Sequence, residues 1–336
     1  MISLTFEQLL GFSDSRLDYN ASKNQLVFEN NTIISRSNGK VFSTGTLEIV
    51  SLSELREQVS KVETGLPNNL NQSAVSHKCV KEYIRSPDYS GALFQVASQF
   101  NLLEMIDAWK TPERGVEIYW NDPTQGPRCS QAAIGATLYR NYFLPMENGD
   151  KGQTANNQIN CLEDVLMWIS MKKPFDWKFK NGYIIIESEG FAIINQVLDN
   201  LSKVERDKLR GMLQIGIHWD VQINDECNPL DQHVSQIFCS AFPIYSPTST
   251  EEASLLAKLI LEATQEATVI SAILNKERFG NNQLVLTKPG GGAFGNESIW
   301  ICDALKRALN KFQNHGLDIL IHHYSTNEPC YYSIEV

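Results

Sequence analysis

Apolar runs closed by turn residues, each followed by a stretch of helical period, recur from about residue 91 onward. The runs 91–101, 116–121, 213–223, 236–244, 283–287 and 317–324 are dense in Val, Ile, Leu, Phe and Trp and predict strands. Stretches 131–141, 160–170, 191–201, 250–274 and 298–312 carry apolar residues at helical spacing. In 160–170, for example, Leu162, Val165, Leu166 and Ile169 share one face. Residues 183–186 add a short strand, and Thr248 with Glu252 reads as a capping box before the longest helix. Strand and helix alternating in this order predict an α/β fold, a mixed sheet flanked by helices.

The first 65 residues have a different texture. A short helix at 4–10 precedes small strands at 25–28, 32–34, 40–43 and 46–50, split by Asn-Asn and Asn-Gly turns. A helix follows at 51–62, and 64–73 is a polar loop. The expected organisation is a small N-terminal α+β extension at 1–65 and a main α/β domain at 80–336.

A chain of 336 residues holds one large or two modest domains, and 42% hydrophobic with 20% charged residues is ordinary for a globular protein. The net charge of −10 argues against a broad basic face for duplex nucleic acid. No apolar run approaches the roughly eighteen residues of a membrane span, and the start lacks the basic and apolar regions of a signal peptide. The seven cysteines (79, 129, 161, 227, 239, 302 and 330) are scattered and contain no Cys-x-x-Cys. That usage predicts free thiols in a reducing, cytoplasmic compartment, with no metal site and no cofactor motif. His322 and His323 are adjacent on a strand, so they point apart and read as structural or surface residues.

The most informative stretch is 283–298. An apolar strand runs into Lys288-Pro289-Gly290-Gly291-Gly292-Ala293-Phe294-Gly295-Asn296, and an amphipathic helix opens at Ser298. Glycines let a backbone approach a ligand, and the helix start offers unpaired N–H groups with a positive dipole end. Together they form a site for phosphate or pyrophosphate; the plain alternative is a tight strand-to-helix turn. The loop lacks the Lys-Ser/Thr ending of a P-loop and fits the six-residue dinucleotide fingerprint only loosely.

Gly290 to Asn296 resembles the second phosphate loop of macro domains, including the microbial poly(ADP-ribose) glycohydrolase-like branch. The flanking order of helix, strand, loop, helix and final strand is similar too. The resemblance covers about the last hundred residues. It implies a macro-domain-like α/β fold and binding of ADP-ribose or an ADP-ribosylated substrate. Pyrophosphate would lie on Gly290, Gly291, Gly292, Ala293, Phe294, Gly295 and Asn296. Asn101, Thr124, Gln125 and Gly126 would supply further ligand contacts. The glycine-rich catalytic loop and paired glutamates of the glycohydrolase branch are absent, so their glutamate mechanism is not implied.

Other residues keep two readings. Asn101 is either a ribose contact or the N-cap of a helix at 102–109. Phe294 either stacks on the nucleotide or anchors the loop. Asp122, at a predicted strand end beside Thr124-Gln125-Gly126, is the acid/base candidate, although Asp before Pro also forms turns. His218, Asp220 and Gln222 share a strand face, as a polar ledge under a ligand or as a solvated edge. Arg140 reads as a helix C-terminal dipole partner. Function therefore has three candidate classes: a nucleotide-binding hydrolase, a non-catalytic ADP-ribose reader, or a cysteine-dependent hydrolase using Cys129 with His218 or His233.

Overall fold

Strands that read as unbroken apolar runs belong in a parallel array, where both faces need cover. The computed structural model describes residues 4–75, 79–224, 231–244, 247–324 and 328–334, and within them seven strands form one sheet. Their order is Thr46–Ser51, Gln214–Gln222, His233–Cys239, Leu93–Ala97, Gln283–Leu286, Asp318–Ile321 and Asn69–Gln72. From His233–Cys239 to Asn69–Gln72 each neighbour runs parallel. Gln214–Gln222 is antiparallel to both of its neighbours. The sheet is mixed, as the alternation of strands and helices predicts.

Two helical layers cover it. The 33-residue helix Pro247–Phe279 packs on one face, with Leu52–Val59, Ser188–Asp199, Lys203–Gly211 and Ser298–Lys311 against it. Gln95 marks this face, donating from Nε2 to Gln265 Oε1 at 3.0 Å and Thr268 Oγ1 at 3.1 Å. The side chain of Thr248, read as a capping residue, lies outside the described residues. The other face carries Phe94, His218 and Phe238, and Gln125–Ala132 and Ile134–Leu138 lie over that side.

One carboxylate ties the first layer together. Glu266, fully buried, takes Arg56 Nε at 2.6 Å, Arg307 Nη1 at 2.7 Å and Lys311 Nζ at 2.6 Å. Asp207 shares Arg56 at 2.9 Å and Arg307 at 3.1 Å. The helices Leu52–Val59, Lys203–Gly211 and Ser298–Lys311 are thereby fixed to Pro247–Phe279. Charges buried this way stay charged only when fully paired.

Residues before Gly45 build a second core. The helix Phe6–Leu10 and an antiparallel sheet of Leu26–Glu29, Thr32–Ser35 and Val41–Ser43 pack on Leu103, Val116, Tyr119, Ile134, Leu138 and Tyr142. Gly45, at φ 66°, is where the chain passes into the main sheet. A Cβ there would come within 2.2 Å of the Trp219 carbonyl, so only glycine fits. Thr46–Ser51 and Leu52–Val59 belong to the main sheet and its helical cover.

Several expectations need correction. Asn69–Gln72, inside the expected loop 64–73, is an edge strand of the main sheet, parallel to Asp318–Ile321. Residues 116–121 are not a strand: Glu117–Asn121 is a 3-10 helix. Val116 and Tyr119, three apart, both point into the second core, and the Val116 and Glu117 amides donate to Asp14 at 2.8 and 3.1 Å. No helix spans 102–109, because Leu102 takes φ 63° and the Asn101 side chain captures the Leu103 amide at 3.1 Å. The cysteines are not all free: Cys302 and Cys330 are paired in a disulfide, with Cα atoms 6.2 Å apart. Cys79, Cys129, Cys161 and Cys239 are free, and Cys227 lies outside the described residues. Among the described residues no group of His, Cys, Asp and Glu is arranged to hold a metal. None of the described helices is long and apolar enough to cross a membrane.

Glu266→Gln should cost about 3–5 kcal/mol in denaturant unfolding, because it strands Arg56, Arg307 and Lys311. Burial opposes the Glu266 charge, yet hydrogen bonds from Arg56, Lys311 and Arg307 hold its pKa down at about 2. The carboxylate's stabilisation is therefore complete above its ordinary pKa of 4.5 and is lost as pH falls toward 2. The stability gap between wild type and Glu266→Gln should close over that interval.

Candidate functional site

Leu93–Ala97 and Gln283–Leu286 are neighbours that pair only at Leu284–Leu93 and Val285–Phe94. Beyond those pairs the strands part. The chain after the first leads to Gln125–Ala132 on one face, and the chain after the second leads to Ser298–Lys311 on the other. A crevice at strand C-termini where connections leave for opposite faces is where open α/β sheets bind ligands.

Side-chain amides close the floor of this crevice. Gln125 accepts from the Ala97 amide at 2.6 Å and donates to the Gln95 carbonyl at 3.0 Å and to Thr287 Oγ1 at 3.4 Å. Gln95 Oε1 accepts from the Thr287 amide at 3.2 Å. The loop that opens Gln125–Ala132 and the glycine loop after Thr287 therefore share one sheet edge. Gly126 is packed so tightly that a Cβ would lie 2.2 Å from Glu104 Oε2 and 2.6 Å from the Ala97 carbonyl.

The glycine loop is built from within. Gly291 N donates to Lys288 O, Gly295 N to Gly292 O, and Asn296 N to Gly290 O. Asn296 Nδ2 donates to Phe242 O at 2.9 Å, and Ile244 N donates to Phe294 O. Gly290 and Gly295 take φ of 83° and 64°, and a Cβ on either would strike Ala241 or the Ile244 carbonyl. Gly292 has no such duty. Its φ is not left-handed, and a Cβ there would meet nothing within 4 Å. Among the described residues the amides of Gly292, Ala293 and Phe294 have no hydrogen-bond partner. They stand exposed or half-exposed just before the 14-residue helix Ser298–Lys311, whose N-cap Glu297 provides no side-chain cap. Phe294 is half-buried, its ring 5.8 Å from Tyr183.

Other candidates fall elsewhere. Asn101 is fully buried, donating to Gln158 Oε1 at 2.8 Å and accepting from Leu103 N. Asp122 Oδ1 accepts from Thr124 N at 2.8 Å and Thr124 Oγ1 at 2.6 Å, a closed turn beside the crevice. His218, Asp220 and Gln222 lie toward the opposite edge, since Gln222 pairs with His233 at the start of its strand. His218 is buried and accepts from Arg140 at its Nδ1, 3.2 Å away. Arg140 is no helix-end partner: fully buried, it donates to Leu102 O at 2.9 Å and stacks on Phe238 at 4.1 Å. His233 binds Asp220 and Asp231. Burial pushes the Cys129 thiol far up, the reverse of an activated nucleophile.

Sequence reasoning named Asn296 on this edge but missed Gln99 and Glu104. Gln99 Oε1, Glu104 Oε1 and Asn296 Oδ1 are buried without a hydrogen-bond partner. A lone Gln or Glu in an apolar stretch gives no sequence signal. A cavity of about 350 Å³, lined by Trp219, Asp220, Arg278 and Phe279, opens on the opposite edge, away from the glycine loop.

These features define an open α/β sheet in which a strand, a glycine loop and a helix N-terminus meet at one edge. No protein-family model matches the chain, and no curated protein does. Among solved structures it is similar to poly(ADP-ribose) glycohydrolase from Thermomonospora curvata, at 9% identity over 95% of this chain and 96% of that one, with a TM-score of 0.44. It is also similar to the Deinococcus radiodurans glycohydrolase in complex with ADP-ribose, at 10% identity over 86% and 90%, TM-score 0.42. At such identity and TM-score the likeness bears no inference about activity, which the chain's own geometry has to carry.

The two glycines should part company on substitution. Gly126→Ala is expected to destabilise by about 1–3 kcal/mol through overpacking on Glu104 and Ala97. Gly292→Ala should stay within about 0.5 kcal/mol of wild type, as for an unencumbered surface site. Denaturant midpoints of both variants test this.

Proposed function

We propose that the chain binds ADP-ribose or a related nucleotide diphosphate in the crevice between Leu93–Ala97 and Gln283–Leu286. One observation supports this above the others. Gly292, Ala293 and Phe294 present amides with no partner, on a loop where Gly292 is bare for no reason internal to the fold. Such amides ahead of a helix N-terminus suit pyrophosphate oxygens. Lys288, whose Nζ lies 5.0 Å from the Tyr331 ring, adds a positive charge at the loop's start. Phe294 offers a ring face to the ribose or base. Gln99 Oε1 and Asn296 Oδ1 would accept hydrogen bonds from ribose hydroxyls or the base amine. Thr124, Gln125 and Gly126 form the facing rim, while Asn101 supports the rim from beneath through Leu103 and Gln158.

Gly292→Val should leave melting unchanged and weaken ADP-ribose binding by about two to four orders of magnitude. The estimate takes the loss of two charge-assisted hydrogen bonds at roughly 1.5–3 kcal/mol each. The effect comes from a side chain standing where phosphate oxygens would sit. Calorimetric titration with ADP-ribose, run beside thermal melts, is the test. A wild-type protein that binds neither ADP-ribose nor NAD reduces the loop to a turn. Equal affinity in the variant places the ligand elsewhere.

A further inference from the structure

The Cys302–Cys330 bond joins the helix that follows the glycine loop to the last described stretch of chain. Cys302 is buried in the second turn of Ser298–Lys311. Cys330 belongs to Pro329–Tyr332, a helix of four residues. So short a helix is unstable alone, and its place depends on what ties it down. The next residue, Tyr331, is fully buried, and its carbonyl accepts from Gln72 Nε2 at 2.9 Å. The Tyr331 ring lies 5.0 Å from Nζ of Lys288, at the start of the glycine loop. Burial draws the Lys288 pKa down, and Glu328, the N-cap of the same short helix, opposes that. The short helix therefore sets where the Lys288 ammonium stands, and the disulfide sets the short helix. The two sulfurs differ in access: Cys330 is half-buried beside exposed Pro329, whereas Cys302 is 3% exposed. Lys306, one turn beyond Cys302, donates from Nζ to the Ser333 carbonyl at 3.4 Å, so a cation stands over the same junction. A neighbouring cation favours thiolate once the pair is reduced.

We propose that Cys302 and Cys330 form a reversible thiol–disulfide site, exchanging with a small disulfide of the glutathione type and tuning the glycine loop; its effect on ligand rests on the nucleotide reading above. In the reduced chain the Cys330 thiolate attacks one sulfur of glutathione disulfide, whose S–S bond breaks as one glutathione thiolate leaves. The Cys302 thiolate then attacks the Cys330 sulfur of the mixed disulfide and expels the second glutathione. The two thiol protons end on the two departing glutathiones, and two electrons pass from the protein pair to the glutathione pair. Reduction runs the same steps backwards. The oxidised chain holds Tyr331, and through it the Lys288 ammonium, in place before ligand arrives. The reduced chain has to order both on binding, which costs affinity.

The test uses the whole chain, equilibrated in reduced or in oxidised glutathione. Mass spectrometry reads the Cys302–Cys330 bond, hydrogen exchange over 288–296 reads the loop without ligand, and calorimetry with ADP-ribose reads binding. The bond is expected to form in oxidised buffer and to open in reduced buffer while the protein stays folded. Loop amides should exchange faster after reduction, and ADP-ribose binding should weaken about fivefold or more. Cys330→Ser, at the half-buried position, should match reduced wild type in either buffer, and Cys302→Ala should do the same from the other sulfur. A bond that fails to form in oxidised buffer, or that resists reduction until the chain unfolds, overturns the site. Loop exchange indifferent to redox state overturns the coupling, as does ADP-ribose binding that is unchanged or tighter after reduction. A redox response that persists in both variants belongs to another thiol and overturns the assignment. If wild type binds no ADP-ribose in either buffer while bond and loop still respond, the nucleotide reading falls and the redox site stands.

Discussion

The structure turns on how the central strand ends. Parallel strands present unpaired amides and carbonyls where they diverge, and such groups cannot be buried without partners. Here Gln95 and Gln125 supply them, one from within the strand and one from the incoming helix. The two side chains satisfy the backbone of Ala97, Gln95 and Thr287 without zipping the strands together. Pairing between the strands stops at Phe94 and Val285, and a loop follows each strand. Replace either amide with an apolar side chain and the edge would have to close or leave buried groups unpaired.

That arrangement is backed from behind. The long helix would be a poor scaffold by composition alone, because its buried stripe includes Thr264, Gln265, Glu266, Thr268, Ser271 and Asn275. Several of these polar groups find defined partners: Gln265 and Thr268 on Gln95, Asn275 on the Gly91 carbonyl, Glu266 on its cations. Buried polar partners set register where apolar packing tolerates sliding. The helix is therefore indexed to the strand that floors the crevice, and Ser298–Lys311, which follows the glycine loop, is indexed to the helix.

Much of this architecture is legible in the sequence. Gln283–Leu286, the glycine loop and Ser298–Lys311 stand out because strand, glycine and helix signals follow one another without a gap. Tyr183–Ile186 is visible for the same reason, an apolar run behind an Asn-Gly turn. The misreadings share a cause. In 116–121 the alternation Val-Glu-Ile-Tyr-Trp imitates a strand, but the second core, assembled with residues a hundred positions earlier, selects Val116 and Tyr119. The Asn101 turn depends on Leu102 at φ 63°, which no propensity foretells. Gln95, Glu104 and Arg140 gain meaning only from neighbours brought in by topology. The Cys302–Cys330 pair is equally invisible, since the count and spacing of cysteines leave every pairing open.

The sheet's edge carries one more implication, for assembly in time. Among the described residues Asn69–Gln72 pairs only with Asp318–Ile321, and Asn68 reaches the Phe312 carbonyl at 2.7 Å. Thr46–Ser51 likewise waits for Gln214–Gln222. During synthesis both early strands emerge long before their partners exist. Non-local pairing of this kind slows folding and leaves strand edges open to other chains meanwhile. The polar make-up of Asn69-Leu70-Asn71-Gln72 suits that interval, because a short, amide-rich edge is a poor template for association.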